Sequence, residues 1–501
     1  MSRIAILIRS VSGRVLQRLR TLWSLKPVRT IVLVPALAAL PLVVPGLRSV
    51  FTIKGQPYQA VLPNPRQLIS FRSTKSAPRT FIPQGGRTEL SQNDLNPIKA
   101  SQPCADCFID DPAHALDHFY AALARTESKQ AAAITRISHY GDSPLTNDGI
   151  SGVTRRLLQT RFGDAGHGFI LPDRPWWWYN HQAISFATTG DWEGDSLAEP
   201  RISDGLFGLG GVKFQVAPGR VARFATSPDG DTGKDFSRMD VYYLQQPAGG
   251  EFGVTVNNEP EQVVSTNSDR TRSGFFEIRA PQRGANTFEI KTLSGSVRIF
   301  GAVLENEGPG VVYDSLGISG CYAEFLNTVM NQQHWTEQLQ HRNPDLVILN
   351  FGTNESQDSD TDRQSNEADL IEVVRRIRSA LPKVSILIIA PMDRGRHAPG
   401  GTIVTWESIP KIVEVQRKVA HTTGCAFFNM FAAMGGEGTI ARWYSAKAPL
   451  VLADLTHPNP DGAAIIGVLT YQALMDGYAK YLSSTGLNKR QPGEPDSAGK
   501  R

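Results

Sequence analysis

The chain has 501 residues, which is too long for one ordinary domain, and its 41% hydrophobic and 20% charged content is typical of globular proteins. A formal net charge of +4 at pH 7 gives no indication of nucleic-acid binding. Much of that excess lies at the amino terminus, where residues 1–30 contain seven basic side chains and no acidic one.

The segment that follows this basic stretch predicts a membrane anchor. Residues 31–47 form a run of 17 residues without a charge, bounded by Arg48. This length is at the lower limit for a transmembrane helix, and no clear small-residue cleavage site follows. We expect residues 1–48 to be a cytoplasmic basic segment and an uncleaved, single-pass signal anchor in the inner (cytoplasmic) membrane. The bulk of the chain would then face the periplasm or the cell exterior. Cleavage near residue 46 and burial of the segment in a protein core are alternatives.

Residues 49–108 are rich in proline, serine, glutamine and asparagine and predict a linker. They contain Cys104 and Cys107, a lone C-x-x-C without the second pair that a zinc ribbon needs. A local disulfide and two free thiols both fit this spacing. Cys321 and Cys425 lie beside apolar residues and are expected to be buried and unpaired.

Short β-type segments, most of them almost entirely apolar, predict a parallel sheet. Segments with helical spacing separate them and a final helical segment, 460–482, follows them. Strands buried on both faces that alternate with helices indicate a three-layer α/β domain. The predicted strands are 134–138, 311–316, 346–351, 384–390 and 425–429, and the helices between the last four are 322–340, 367–381 and 409–421.

The region between the first of these strands and the others has a different pattern. Residues 239–244 and 251–256, joined by Pro-Ala-Gly-Gly, predict a hairpin, and segments near 274, 286 and 297 continue the period of two. We therefore expect an all-β sandwich inserted into the α/β domain. The predicted boundaries are 109–194 and 306–485 for the α/β domain, 195–305 for the insertion and 486–501 for a disordered tail.

Chemically useful residues follow the predicted strands, where open α/β sheets place their sites. Ser143 could be a nucleophile, His457 its general base, and Asp454 the group that orients the imidazole. Asn354 can supply a side-chain N–H and Gly320 a backbone N–H to an oxyanion. Each motif alone is explained as a turn or a helix cap. Their joint occurrence at the ends of successive elements predicts a catalytic site.

These four blocks resemble those of the SGNH (or GDSL) hydrolases, which are named for Ser, Gly, Asn and His. Gly141-Asp142-Ser143 matches the first block and Gly320 the second, with Gly317 as a possible alternative. Gly352-Thr353-Asn354 matches the third block and Asp454-x-x-His457 the fourth. The order is that of the family, and the resemblance covers about residues 110–190 and 306–482.

The resemblance implies a serine esterase with two groups of site residues. The catalytic residues are Ser143, Asp454 and His457, and the oxyanion hole comprises the Ser143 N–H, Gly320 and Asn354. Pro144 stands where many members have leucine, and Glu355 where aspartate is usual. Neither position carries the proposed chemistry.

The interrupted layout is also similar to that of bacterial peptidoglycan O-acetylesterases, in which a carbohydrate-binding β-sandwich splits the hydrolase domain. This similarity implies hydrolysis of O-acyl groups, in particular O-acetyl groups, from an envelope polysaccharide such as peptidoglycan. The implied partner is an acylated polysaccharide. The alternatives are an O-acetyltransferase that uses the same triad, since both reactions share an acyl-serine, and a non-catalytic glycan-binding protein.

Aromatic and histidine clusters are candidates for ligand-binding and metal sites. Residues 176–179, Trp-Trp-Trp-Tyr, cannot all face one core on a strand, so some should be exposed or line a cleft, where sugar rings stack well, and a domain interface is an equal alternative. A stacking platform could also be formed by the aromatic residues of the β-type segments, which are expected to be core: Tyr242, Tyr243, Phe275 and Phe276. His139, His167 and His181 have no acidic partner at ligand spacing. The sequence predicts no metal and no cofactor.

Overall fold

The computed structural model describes residues 106–227, 230–358 and 360–487, together with 52–53, 56–57 and 79–81. The predicted anchor, most of the predicted linker and most of the predicted tail lie outside the described residues. Within the described part of the chain, no helix combines the length and the apolar composition that crossing a membrane requires.

The chain divides into two units, residues 1–75 and 76–501. In the first, the structure describes an antiparallel pair, β1 Thr52–Ile53 with β2 Gln56–Pro57. The second contains all the other described elements. Its strands are β3 Arg79–Phe81, β4 Ile134–Gly141, β5 Gly166–Ile170, β6 Ile184–Thr189, β7 Glu193–Ser196, β8 Val212–Val216, β9 Val221–Thr226, β10 Phe236–Gln245, β11 Glu251–Val256, β12 Gln262–Ser265, β13 Arg272–Gly284, β14 Thr287–Ser294, β15 Val297–Glu305, β16 Gly310–Gly317, β17 Leu346–Asn350, β18 Ser385–Ile389, β19 Gly395–His397, β20 Ile403–Thr405 and β21 Ala426–Phe428. Its α-helices are α1 Asp117–Glu127, α2 Gly149–Phe162, α3 Phe325–Thr328, α4 Gln332–Arg342, α5 Asp360–Ala380, α6 Ser408–Thr423, α7 Met430–Ala433, α8 Thr439–Ser445 and α9 Pro460–Thr485.

Five strands form a parallel sheet in the order β16-β4-β17-β18-β21. Almost all of their residues are buried, which explains the apolar segments in the sequence. Helices α1, α2 and α9 pack on one face, in a core that includes Phe119, Leu158 and Tyr478. Helices α4, α5 and α6 pack on the other, through residues such as Trp335 and Val373. The predicted three-layer arrangement is therefore present.

Two antiparallel sheets, here called the two-sheet unit, are formed by the strands between β4 and β16 together with β3, which precedes β4. One has the order β13-β10-β15-β8-β7, with β5 also paired to β15, and the other the order β12-β11-β14-β9-β6-β3. The sheets contact each other through aromatic pairs, such as Phe236 stacked on Phe288 at 5.5 Å between ring centroids. Apart from β3, the strands of the two sheets begin at Gly166 and at Ile184, before the boundary predicted at residue 195.

The predicted hairpin of residues 239–244 and 251–256 is wrong. Strand β10 pairs with β13 and β15, whereas β11 pairs with β12 and β14 in the other sheet. The turn between them, with Ala248 at φ 57°, carries the chain from one sheet to the other. The alternation in the sequence reports burial of each strand, and it does not reveal the partner with which that strand pairs.

A buried ionic cluster joins the two-sheet unit to the parallel sheet. Arg342, at the end of α4, donates to Glu305 at 2.6 Å and to both carboxylate oxygens of Asp314, at 2.8 and 2.9 Å. Arg136 of β4 donates two further hydrogen bonds to Glu305, each 2.9 Å long. Although burial opposes ionisation, these guanidinium groups hold the pKa of Glu305 well below its usual value. The cluster therefore fixes β15 against the strand that leads to Ser143.

Candidate active site

The parallel sheet brings the predicted blocks together at one edge. Gly141, the last residue of β4, is in register with Gly317 of β16 and with Asn350 of β17. A Cβ atom at Gly141 would lie 2.6 Å from the carbonyl oxygen of Asn350, so the close approach of these strand ends requires glycine. Ser143 begins a short 3-10 turn immediately after the strand.

Ser143, His457 and Asp454 form a continuous line of hydrogen bonds. The Oγ atom of Ser143 lies 2.7 Å from Nε2 of His457, and Nδ1 of His457 lies 2.7 Å from Oδ2 of Asp454. These separations are those of a nucleophile, its general base and the carboxylate that orients the base. The arrangement can take a proton from the serine hydroxyl and hold the imidazolium that results.

The loop before α9 fixes the carboxylate of Asp454. Its Oδ1 atom accepts hydrogen bonds from the backbone N–H groups of Thr456 and His457, both 3.0 Å long. Partial burial raises the pKa of Asp454, but the hydrogen bonds from His457 and Thr456 outweigh it and lower the pKa below its usual value. Asp454 is therefore ionised at neutral pH, as an orienting carboxylate must be.

Three candidate N–H donors lie on the turn of Ser143 and on the loops that follow β16 and β17. Asn354 donates one side-chain N–H to the carbonyl of Cys321 at 2.9 Å, which leaves the second N–H of its amide for another acceptor. Within the described residues, the backbone N–H groups of Ser143 and Gly320 have no acceptor. Gly320 is left-handed, with φ 71°, on the loop that receives the Asn354 bond, whereas Gly317 lies within β16. This placement favours Gly320 over Gly317 as the donor of the second block.

Two buried carboxyl groups brace these loops. Asp142 accepts a 3.1 Å hydrogen bond from the N–H of Thr353. Glu355 accepts from Ala323 at 2.9 Å and from Gly352 at 3.0 Å, so it joins the two loops that carry Gly320 and Asn354. Burial raises the pKa of Asp142 to about 6 and that of Glu355 to about 8, against the hydrogen bonds. Neither residue has a role in the chemistry predicted from the sequence.

Arg394 was missed entirely, because nothing in its local sequence marks it. Its guanidinium donates to the carbonyl of Thr353 at 3.0 Å and to Ser356 at 2.7 Å. It also donates to the hydroxyl of Thr456 at 3.1 Å. Arg394 thus connects the Asn354 loop to the His457 loop, a link that only the tertiary structure reveals.

The aromatic residues singled out in the sequence lie partly in the core and partly at the surface. Tyr242 and Tyr243 are buried, as expected for core aromatics, whereas Phe275 is half-buried and stacks on His341 at 3.7 Å between ring centroids. In the 176–179 segment Trp176 and Tyr179 pack inward, while Trp177 and Trp178 are exposed.

Among the described residues, the histidine and cysteine side chains belong to no group that could hold a metal ion. The three histidines of residues 139–181, His139, His167 and His181, are buried. The described residues contain no group of three or more His, Cys, Asp or Glu side chains arranged to hold a metal. Cys321 and Cys425 are buried and free, as predicted, and Cys107 is disulfide-bonded.

A family model described as the GDSL-like Lipase/Acylhydrolase family matches residues 284–465. The part of the chain that matches, residues 284–465, belongs to that family. The match contains Gly320, Asn354, Asp454 and His457 but not Ser143, because the two-sheet unit separates the first block from the rest of the GDSL domain. The predictions of SGNH membership and of a hydrolase enzyme are confirmed. No curated protein matches the chain in sequence.

One solved structure has the same fold over most of the chain. It is described as "Peptidoglycan O-acetylesterase in action, 5 min", is 23% identical, and has a TM-score of 0.61. The match covers 74% of this chain and 99% of the other, so it extends beyond the GDSL domain into the two-sheet unit.

Two other esterase structures have much lower scores. A family two carbohydrate esterase from Cellvibrio japonicus is 12% identical over 60% of this chain and 99% of its own, with a TM-score of 0.24. An acetyl xylan esterase is 17% identical over 33% of this chain and 80% of its own, with a TM-score of 0.26. With TM-scores this low, neither structure carries an argument about the fold or function of this chain.

Proposed function

We propose that this protein is a serine esterase that hydrolyses O-acetyl groups of an envelope polysaccharide such as peptidoglycan. The observation that carries the proposal is the line from Ser143 Oγ through His457 to Asp454, with both hydrogen bonds 2.7 Å long. The structural similarity to a peptidoglycan O-acetylesterase supports the choice of substrate class.

In the first half of the reaction, the Oγ atom of Ser143 attacks the ester carbonyl carbon while its proton passes to Nε2 of His457. The N–H groups of Ser143, Gly320 and Asn354 hold the resulting oxyanion. The carbon–oxygen bond to the sugar then breaks, and His457 returns the proton to the sugar oxygen. The products of this half are a free sugar hydroxyl and an acetyl group on Ser143.

In the second half, water attacks the acetyl-serine, with His457 as the base that takes its proton. The bond to Oγ breaks, the proton on His457 returns to Ser143, and acetic acid leaves and loses its own proton to solvent as acetate. Solvent access favours water over a sugar hydroxyl as the attacking group, because the side chains of His457 and Asp454 are 36% and 48% exposed. An acetyltransferase has to keep water from the acyl-enzyme.

An extracytoplasmic location is part of this proposal. A basic segment followed by 17 uncharged residues supports export and anchoring. The disulfide at Cys107 also supports it, since disulfides persist in oxidising compartments. A carboxyl-terminal epitope that is accessible to protease from the periplasm and stays with the membrane fraction is the expected result. Release of a shortened soluble protein would indicate cleavage near residue 46.

The central experiment compares the wild-type protein with Ser143→Ala on acetylated peptidoglycan fragments and on p-nitrophenyl acetate. We expect the variant to lose turnover of both substrates and labelling by a fluorophosphonate probe. Ser484→Ala, an exposed serine on α9, is the matched control and should behave as wild type. Unchanged hydrolysis by Ser143→Ala would overturn the mechanism. A folded wild-type protein that neither labels nor releases acetate would favour a non-catalytic glycan-binding role.

A further inference from the structure

The aromatic segment at 176–179 forms a turn, closed by a 3.0 Å hydrogen bond from the N–H of Tyr179 to the carbonyl of Trp176. The phenolic oxygen of Tyr179 accepts from the N–H of Leu171, and Trp176 packs on the core, so these two residues anchor the turn. Trp177, 82% exposed, is the most exposed large apolar side chain of the described residues. The turn therefore holds two indoles at the surface by burying their neighbours.

The exposed indoles are connected to the nucleophile turn through one residue. The Nε1–H of Trp178 donates to Oγ1 of Thr146 at 3.0 Å, and the same hydroxyl donates to the carbonyl of Ser143 at 2.7 Å. The N–H of Asn180 donates to the carbonyl of Thr146 at 3.3 Å. The indole of Trp178 is thus linked to the backbone of the Ser143 turn through a single side chain, that of Thr146.

The two rings are held in a fixed relation before any ligand arrives. The indoles of Trp177 and Trp178 lie 5.3 Å apart between centroids, at 89° to each other. The polar edge of Trp178 is satisfied by Thr146, which fixes the orientation of the ring. An exposed apolar surface that is ordered in advance loses little conformational entropy when it binds a ligand.

We propose that Trp177 and Trp178 form a glycan-stacking subsite, which holds a sugar ring of the polysaccharide next to the ring that carries the ester. This inference rests on the proposed function and names how its substrate is recognised. A pyranose has a face of C–H bonds that can cover an indole while its hydroxyl groups stay in water. The subsite stands one residue from the Ser143 turn, so the ring it holds belongs to the same chain as the reacting ester.

The test measures kcat/KM for acetylated peptidoglycan fragments and for p-nitrophenyl acetate, and compares the ratio between variants. Trp177→Ala should lower the ratio of glycan to small ester about tenfold, mainly through KM, while Trp177→Phe should keep most of it. Phe108→Ala is the matched control: this aromatic is 48% exposed but lies against Lys480, near the far end of α9, and should leave the ratio unchanged.

A second measurement separates failure of the subsite from failure of the proposed function. Unacetylated glycan fragments are titrated into Ser143→Ala and into Ser143→Ala with Trp177→Ala, and tryptophan fluorescence is followed. The subsite requires a saturable fluorescence change in the first protein and, in the second, binding of the glycan with a Kd at least tenfold higher.

Absence of any acetate release by wild type would reject the esterase proposal alone. An unchanged ratio together with equal fluorescence titrations would overturn the subsite. Selective loss of activity on long-chain acyl esters in Trp177→Ala would instead assign the indoles to the acyl group.

Discussion

The carboxylate of Asp142 accepts a hydrogen bond from the backbone N–H of Thr353, which ties the turn of the nucleophile to the loop of Asn354. The two segments are 211 residues apart in the chain and follow adjacent strands of the parallel sheet. The distance between Ser143 and the proposed oxyanion donor Asn354 therefore depends on a residue that has no part in the proposed chemistry.

Replacement of Asp142 should separate this positioning role from a role of its charge. We expect Asp142→Ala to lower kcat/KM for p-nitrophenyl acetate on the order of 10- to 100-fold, because the oxyanion donors lose their alignment. Asp142→Asn should retain most activity, since its amide oxygen can still accept from Thr353. Equal losses in the two variants would indicate that the charge near His457 matters and that the hydrogen bond does not.

Glu355 should make stability depend on pH in a definite direction. Burial raises its pKa to about 8, above the value it has in the unfolded chain, so the folded state binds this proton more tightly. Its contribution to stability is present at low pH and is lost as the pH rises through about 8. One such carboxyl changes the free energy of unfolding by at most about 1.4 kcal/mol per pH unit.

Urea unfolding of wild type and Glu355→Gln at several pH values tests this prediction. The wild-type protein should lose stability relative to the variant between about pH 5 and pH 8. The charge of Asp142 also raises the pKa of Glu355, so the difference between the two proteins reports the coupled titration of this pair. A difference that does not change with pH would contradict the prediction.

The parallel sheet and the four blocks were predictable because each depends on a short, continuous segment of the sequence. Strands buried on both faces need apolar segments, as in residues 385–389, and the residues that follow such strands lie at one edge of the sheet. Ser143, Asn354 and His457 could therefore be placed near one another without any knowledge of side-chain geometry.

Other features were not predictable because they depend on which segments meet. The alternation in β10 and β11 reports burial but not partners, so two strands of different sheets looked like a hairpin. Arg394 contacts Thr353 and Thr456 across 41 and 62 residues, and no motif surrounds it. The exposure of Trp177 follows from a turn that buries the residues on either side of the indole pair.

Arg342 should be required for stability, because it is the common partner of two buried carboxylates, Glu305 and Asp314. Arg342→Met keeps much of the side-chain volume but leaves these charges without their shared counter-ion. We expect a loss of about 3–5 kcal/mol in the free energy of unfolding, measured with urea. Arg375→Met, which removes an exposed pair with Glu372, is the matched control and should cause no measurable change. Equal effects of the two substitutions would show that the cluster does not stabilise the fold.

Asp454 should be essential for turnover although it does not touch the substrate. In Asp454→Asn the amide can present an N–H to Nδ1 of His457, which favours the tautomer with its proton on Nε2, where it cannot accept the proton of Ser143. We expect kcat for p-nitrophenyl acetate to fall on the order of 10³- to 10⁴-fold with little change in KM or in thermal stability. Asp461→Asn, an exposed aspartate in the first turn of α9, is the control and should keep wild-type kcat. Raising the pH should not rescue Asp454→Asn, because the defect lies in the tautomer of a neutral imidazole and not in its protonation. Near-normal kcat in Asp454→Asn would mean that His457 is oriented by something other than this carboxylate, and the order of the triad would have to be assigned again.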